Sequence, residues 1–239
     1  MDAIGVDDAV ACIVALARDD TPSLVVTLGT EMVVRARSDA RFREIVERSA
    51  LSLCDTIGVL FAARLEGARI AQRVAGIDLI DPLCAAFARE DIAVYLVGSK
   101  GDTAMRAAAR LRERHPGLRV AGARDGYFPP AAEADVAAEI ARSGARVALV
   151  GLGSPRQEFW IDAHLARTGC AVGIGVGGSF DVLAGNVERA PETWRRLNLE
   201  WLYRLFKEPQ RWRRQLALPY FVWLTLRERL FARPTLEDS

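Results

Sequence analysis

Histidine is nearly missing from this chain. His115 and His164 are the only two among 239 residues, which leaves little material for a histidine-built metal site or a Ser-His-Asp triad. His115 precedes Pro116-Gly117 and reads as a surface helix end, and His164 falls in an amphipathic stretch. Cysteine is scarce as well: Cys12, Cys54, Cys84 and Cys170 lie far apart and form no CxxC pair. Three of them sit in apolar runs, so buried free thiols are expected rather than disulfides or zinc ligands, which suits a reducing cytoplasm. Neither sign of charge is in excess. Lys and Arg number 32 against 31 Asp and Glu, a formal net charge of +1. That excludes a chain-wide attraction to nucleic acid or anionic membrane, so any such affinity must come from local clustering. No run reaches the ~18 to 20 uncharged apolar residues that cross a bilayer. The N-terminus carries Asp2, Asp7 and Asp8 and no basic segment ahead of an apolar stretch, which argues against a secretory signal.

What the chain does have is apolar rhythm. Hydrophobic residues make up 51% of it, enough for one substantial core plus a modest extension. Short Val, Ile and Leu runs alternate with longer amphipathic stretches, the pattern of parallel strands joined by crossover helices. Strands are expected at Ser23–Leu28, Thr56–Ala62, Ala93–Gly98, Arg119–Ala123, Val147–Gly151 and Ala171–Val176. Helices are expected at Thr103–His115 and Ala131–Ser143, closed by Pro116-Gly117 and Ser143-Gly144. The fold class is therefore α/β: a Rossmann-like, mainly parallel sheet with flanking helices spanning roughly residues 20 to 190. In such sheets ligands bind beyond the carboxyl ends of the strands, where helix N-termini converge.

Composition changes near Trp194. Between Arg195 and Arg233 arginines such as Arg204, Arg211, Arg214 and Arg227 interleave with Trp201, Tyr203, Phe206, Trp212, Tyr220, Phe221 and Trp223. The chain thus divides into a catalytic domain, 1–194, and a basic, aromatic, helical C-terminal appendage, 195–239. Apolar residues recur at helical spacing at Leu199, Leu202, Tyr203 and Phe206, then at Leu216, Tyr220, Phe221 and Leu224, with Pro209 and Pro219 breaking the helices. Such a segment fits either helices packed on the domain or an interfacial surface whose arginines meet phosphate.

Three constellations could carry chemistry. The segment Gly151-Leu-Gly-Ser-Pro-Arg-Gln-Glu158 follows a strand and opens a helix, so its amides could cradle phosphate. It is neither a dinucleotide fingerprint, since Arg156 stands where the third glycine belongs, nor a Walker loop, which needs GK[ST]. Arg156, Gln157 and Glu158 add three hydrogen-bonding side chains to the first helical turn. The second cluster runs Gly173-Ile-Gly-Val-Gly-Gly-Ser-Phe-Asp181, where Gly177-Gly178 permits close backbone approach and Asp181 either caps a helix or accepts from a ligand. The third is Asp55, beside the apolar run Thr56–Ala62, either a turn or cap residue or a general base.

Taken together and in order, Asp55, Gly98, Arg124-Asp-Gly-Tyr-Phe128, Gly151–Glu158, Gly175–Asp181, Arg189-Ala-Pro191 and Glu200-Trp-Leu-Tyr-Arg204 resemble the WecG/TagA/CpsF family of bacterial glycosyltransferases, from about Leu24 to Arg214. The resemblance implies inverting transfer of a sugar of N-acetylmannosamine type from a UDP-sugar to an undecaprenyl-diphosphate-linked saccharide, with no metal or other cofactor required. The products feed surface polysaccharides, and the enzyme works on the inner face of the cell membrane. By the same resemblance Asp55 is the catalytic base, Thr27 and Arg73 are cleft residues near the reacting groups, and Gln157 contacts the donor. Asp181 corresponds to a nucleotide-binding position, and Gly151, Gly153, Arg156, Glu158 and Gly178 complete the substrate loops. Arg204, Arg211 and Arg214 belong to an appendage that closes over the site and meets the membrane. Partners are then the donor, the lipid-linked acceptor and the membrane surface, without nucleic acid and with homo-oligomerisation left open. The chain departs from the family pattern twice: Asp55-Thr56 replaces the usual Asp-Gly, and Thr27-Leu-Gly-Thr30 lacks the usual Asn near Gly29. A β-branched Thr56 excludes the positive φ open to Gly, so altered donor or acceptor choice is expected. Rival readings are a glucosyltransferase of exopolysaccharide assembly, a NAD-dependent oxidoreductase on a Rossmann sheet, and a non-catalytic subunit of an assembly complex.

Overall fold

The structure, a computed structural model, describes residues 1–70, 72–197, 199–207 and 217–231, with backbone alone at Arg204 and at several positions of the last helix. Six parallel strands form one sheet in the order β2-β1-β6-β5-β3-β4. They are β1 (Ser23–Leu28), β2 (Leu51–Cys54), β3 (Val94–Gly98), β4 (Val120–Arg124), β5 (Val147–Gly151) and β6 (Val172–Gly175). Every residue of β2, β3, β5 and β6 is buried, as expected of strands covered on both faces.

Alternation along the strands divides the core. Val94 and Leu96 of β3 and Val147 and Leu149 of β5 face one layer, packed with α1 (Val6–Arg18), α5 (Gly76–Arg89), α6 (Thr103–Arg114) and α9 (Ser179–Leu183) through Ile13, Phe87, Leu111 and Phe180. Tyr95, Val97, Ala148 and Val150 face the other, packed with α7 (Glu133–Ser143) and α8 (Arg156–Thr168) through Ile140 and Trp160. That second layer continues over Val26, where α2 (Thr30–Ser38) and α3 (Ala40–Glu47) contribute Met32 and Phe42.

Five of the expected strands are strands; Thr56–Ala62 is not. Ile57–Ala62 belong to α4 (Ile57–Leu65), with Thr56 as its N-cap, and the strand is the shorter Leu51–Cys54 just before it. A seven-residue apolar run has no periodicity that separates a strand from a half-buried helix. Pairing decides: Val25 to Leu28 of β1 align with Leu51 to Cys54, ending the ladder one residue before Asp55. Asp55 therefore sits at the carboxyl end of a strand, not ahead of one. The outer edge of β2 is met by Asp2, which donates its amide to Ser52 O at 2.9 Å and accepts the Ser52 amide at 2.7 Å.

Beyond the sheet lie α10 (Glu192–Arg196), α11 (Glu200–Lys207) and α12 (Ala217–Phe231); the 194/195 division falls inside α10. Pro219 occupies the first turn of α12 and does not break it, because first-turn amides have no intrahelical partner to lose; Pro209 lies outside the described residues. Helix α12 packs against α2 and α4, burying Phe221 and Leu224 while Tyr220 and Trp223 stay about half exposed and stacked on each other. No helix among the described residues is long and apolar enough to cross a membrane.

Candidate active site

The carboxyl ends of β1, β2 and β6 open into a cavity of about 320 Å³, whose lining includes Thr27, Asp55, Arg73, Gln157, Gly178 and Glu200. Each is held by local chain logic. The Asp55 amide donates to Leu28 O at 3.1 Å, and its carboxylate Oδ1 accepts the Gly76 amide, the first of α5, at 2.9 Å. Asp55 thus caps a helix distant in sequence and keeps its carboxylate fixed at the cavity wall. Thr27 is 9% exposed and donates to Gly175 O at 2.9 Å, tying β1 to β6. With its proton committed, it offers a ligand only acceptor lone pairs.

Arg73 reaches the cavity because the Val74 amide donates to Cys54 O at 2.7 Å, laying that segment along the end of β2. Its guanidinium lies 3.5 Å from Glu200 and 3.9 Å from Asp78, while Arg189 pairs with Asp78 and lies 3.8 Å from Glu200. Two arginines and two carboxylates alternate, with Glu200 6% exposed. Removing Glu200, the one buried member, would leave two cations facing Asp78 alone, a loss that the partial exposure of Arg73, Arg189 and Asp78 softens. Cys54, beside Asp55, is no nucleophile: burial first and the Asp55 charge second push its thiol up to about 11.

The Gly151–Glu158 segment divides its side chains. Gln157, 3% exposed, accepts the Gly177 amide at 3.0 Å and donates to Glu158 at 2.7 Å, so it holds the Gly177-Gly178 turn against the cavity. Gly177 has φ +52°, a conformation that favours glycine. Arg156 and Glu158 do not join Gln157 at the wall. The Arg156 guanidinium donates to Gly126 O at 2.9 Å and Phe128 O at 3.0 Å and lies over the Phe128 ring, clamping the β4–α7 loop. Successive residues at the start of a helix point about 100° apart, so three neighbours cannot all face one ligand. Glu158 is 1% exposed, its carboxylate beside the Gln157 amide next to Gly175 of β6, and Gly151 contacts the Gly177 turn; Gly153 lines the cavity.

Burial raises the Glu158 carboxyl above its usual 4.5, with the Gln157 amide and Ser154 hydroxyl offsetting only part of it; Oε2 has no well-aligned partner. A raised folded-state value means the stabilising contribution is complete below the unfolded value near 4.5 and is lost as pH rises through the folded value. Glu158→Gln should therefore gain stability relative to the wild type as pH climbs from acid to neutral. Urea midpoints measured across that range check this, and parallel curves would mean that Glu158 ionises at no cost.

A second cluster lies at the β5/β3 border. Here the connections part, β3 leading through α6 on one face and β5 through α8 on the other, which makes a crevice of the kind that accepts nucleotides. Gly98, at φ +150°, packs so closely that a Cβ would lie 2.5 Å from the Gly151 backbone. Asp181 is fixed there, accepting from Ser99 Oγ at 3.0 Å and Asn186 Nδ2 at 3.2 Å. It stands in the first turn of α9 without capping it.

Of the appendage arginines, the Arg204 side chain, Arg211 and Arg214 lie outside the described residues. The sequence reading gave no site role to Glu200, Thr30 or Ser99, although it quoted Glu200 at the head of a motif and Thr30 at the end of a departing segment. Glu200 was visible as a rare acid within the basic tail; Thr30 and Ser99 had only their positions just beyond strand ends. Among the described residues no group of three His, Cys, Asp or Glu side chains could hold a metal ion.

The pattern of the Glycosyl transferase WecG/TagA/CpsF family matches residues 1–235. The chain is 35% identical over 206 residues to an N-acetylglucosaminyldiphosphoundecaprenol N-acetyl-beta-D-mannosaminyltransferase of Bacillus subtilis (strain 168), covering 86% of this chain and 80% of that protein. It is 36% identical over 213 residues to the protein of the same name in Bacillus spizizenii (strain ATCC 23059 / NRRL B-14472 / W23), covering 89% and 82%. These matches overturn the oxidoreductase and non-catalytic readings. An α/β sheet with a carboxylate and an arginine at one strand-end cavity, matched over nearly its whole length, belongs to the WecG/TagA/CpsF family of glycosyltransferases and is a sugar-transferring enzyme.

Proposed function

We propose that the enzyme moves N-acetylmannosamine, by inversion and without a metal, from its UDP derivative to a saccharide carried on undecaprenyl diphosphate. The observation that carries this reading is the meeting of Asp55, Arg73 and Gln157 around one cavity, in a chain whose relatives bear that activity in their names. Asp55 takes the proton of the acceptor hydroxyl as its oxygen attacks the anomeric carbon. The bond from that carbon to the diphosphate breaks, and UDP leaves with the electron pair. Negative charge then grows on the diphosphate, which Arg73 and the amides of the Gly151–Gln157 and Gly177-Gly178 turns stabilise. Asp181 and Ser99, in the β5/β3 crevice, receive the nucleoside.

Membrane contact follows from α12 in the same proposal. Tyr220 and Trp223 are half exposed, Arg227 lies 5.3 Å over the Trp223 ring, and Phe61 of the neighbouring α4 is also exposed. Aromatics with an attendant cation suit the headgroup level of an anionic surface, on the inner face of the cell membrane. The test is a panel of UDP-sugars offered with a polyprenyl-diphosphate-linked acceptor, beside thermal melts. UDP should raise the melting temperature where NAD(H) does not, and UDP-N-acetylmannosamine should be the preferred donor; preference for UDP-glucose would transfer the enzyme to the glucosyl reading.

A further inference from the structure

We propose that Thr30 and Thr56 form a paired-hydroxyl reader that recognises an oxygen substituent of the acceptor sugar beside the attacking hydroxyl. This rests on Asp55 being the base. Thr56 follows Asp55 and stands at the N-cap of α4, yet its hydroxyl makes no bond to its own helix. It accepts instead the Thr30 amide, the first of α2, at 3.2 Å, and lies 2.9 Å from Thr30 Oγ1. The two hydroxyls bring two protons, and the contact between them uses one. The other has no protein acceptor among the described residues, although Thr30 is only 7% exposed and both residues line the cavity. Whichever hydroxyl keeps it, that donor borders the cavity and is free to meet a ligand oxygen.

The backbone keeps the pair accessible. Thr56 is extended, at φ −116° and ψ 152°, so the β-branched residue sits there without strain. Position 29 is glycine, and a Cβ there would lie 3.5 Å from the Thr56 methyl. The two places where the chain departs from the pattern it resembles are therefore neighbours in space, in front of the base. Gly29 lines the cavity with both threonines and places no side chain between their hydroxyls and the cavity.

Strand order sets the side from which the donor arrives. The nucleotide crevice lies at the β5/β3 border and the threonines at the β2/β1 border, three strand spacings away, or about 14 Å. A nucleoside diphosphate laid from that crevice reaches the cavity from the β6 side. Asp55, as the base, stands where the acceptor hydroxyl enters, and Thr56 is its neighbour in the chain with Thr30 bonded to it, so the pair meets the acceptor.

The experiment compares the wild type with Thr56→Val and Thr30→Val on two lipid-linked acceptors, one intact and one lacking the oxygen next to the attacking hydroxyl. Thr56→Val should lower kcat/KM for the intact acceptor about tenfold, as loss of one hydrogen bond implies, with donor KM unchanged. Thr30→Val, which leaves the amide of residue 30 bonded to Thr56, should act in the same direction to a smaller extent. The deoxy acceptor should already be poor for the wild type and no worse for Thr56→Val, and Thr56→Ser should recover most of the loss on the intact acceptor. Equal losses on both acceptors, or a rise in donor KM, would overturn the assignment to the acceptor. A wild type that binds UDP but transfers sugar to no acceptor would overturn the transferase reading beneath it.

Discussion

Asp55→Asn should abolish sugar transfer while leaving UDP binding nearly unchanged. The replacement keeps an oxygen that can accept the Gly76 amide, now met at 2.9 Å, so the start of α5 remains capped and the fold intact. What it loses is the capacity to hold a proton. General-base catalysis contributes about 10²- to 10⁴-fold, and with Cys54 buried as a neutral thiol the immediate neighbour supplies no substitute. Single-turnover transfer and calorimetric titration with UDP separate the two effects. Turnover at the wild-type rate removes Asp55 from the mechanism, and loss of UDP binding would show that the side chain serves the donor instead.

Deleting the chain from Arg195 onward should have the other large effect, a combined loss of membrane binding and of activity. Glu200, Trp201 and Ala217 all line the cavity, so truncation removes part of its wall. It also leaves Arg73 and Arg189 to share Asp78 alone, having lost the buried Glu200 between them. Phe221 and Leu224 leave with α12, uncovering apolar surface on α2 and α4, where each fully buried side chain is worth about 1.5–3 kcal/mol. Sedimentation with anionic liposomes should show the full chain bound and the truncated one free, with binding of the full chain weakened by salt as screening shortens to ~10 Å at 0.1 M. Transfer should fall about 100-fold or more even on a water-soluble acceptor, since a misplaced positioning group costs on that order. A truncated enzyme fully active on that acceptor would reduce the segment to an anchor.

The role of Thr56 shows how far residue types carry and where they stop. A β-branched residue after Asp55 excludes the positive φ of a glycine turn, and the backbone there is extended. Nothing in the sequence joins residue 56 to residue 30, which lies across the β1/β2 pair. The same holds for Arg156, Gln157 and Glu158. Their polarity marked the segment, but only the rotation of α8 sent Arg156 to the Phe128 loop, Gln157 to the cavity and Glu158 into the buried space behind Gln157.

By itself the sequence determined the α/β class, five of the six strands and the family, because each rests on local information: continuous apolar runs, turn residues and ordered motifs. It also marked Asp55, Thr27, Arg73 and Gln157, all of which line one cavity. Only the tertiary structure decided that Ile57–Ala62 is helix, that Asp55 ends a strand and caps α5, and that Glu200 in the tail neutralises Arg73. The physical reason is the same in each case. Strand pairing, helix rotation and ion pairing join residues that are dozens of positions apart, and such partners are chosen by packing and burial rather than by neighbours along the chain.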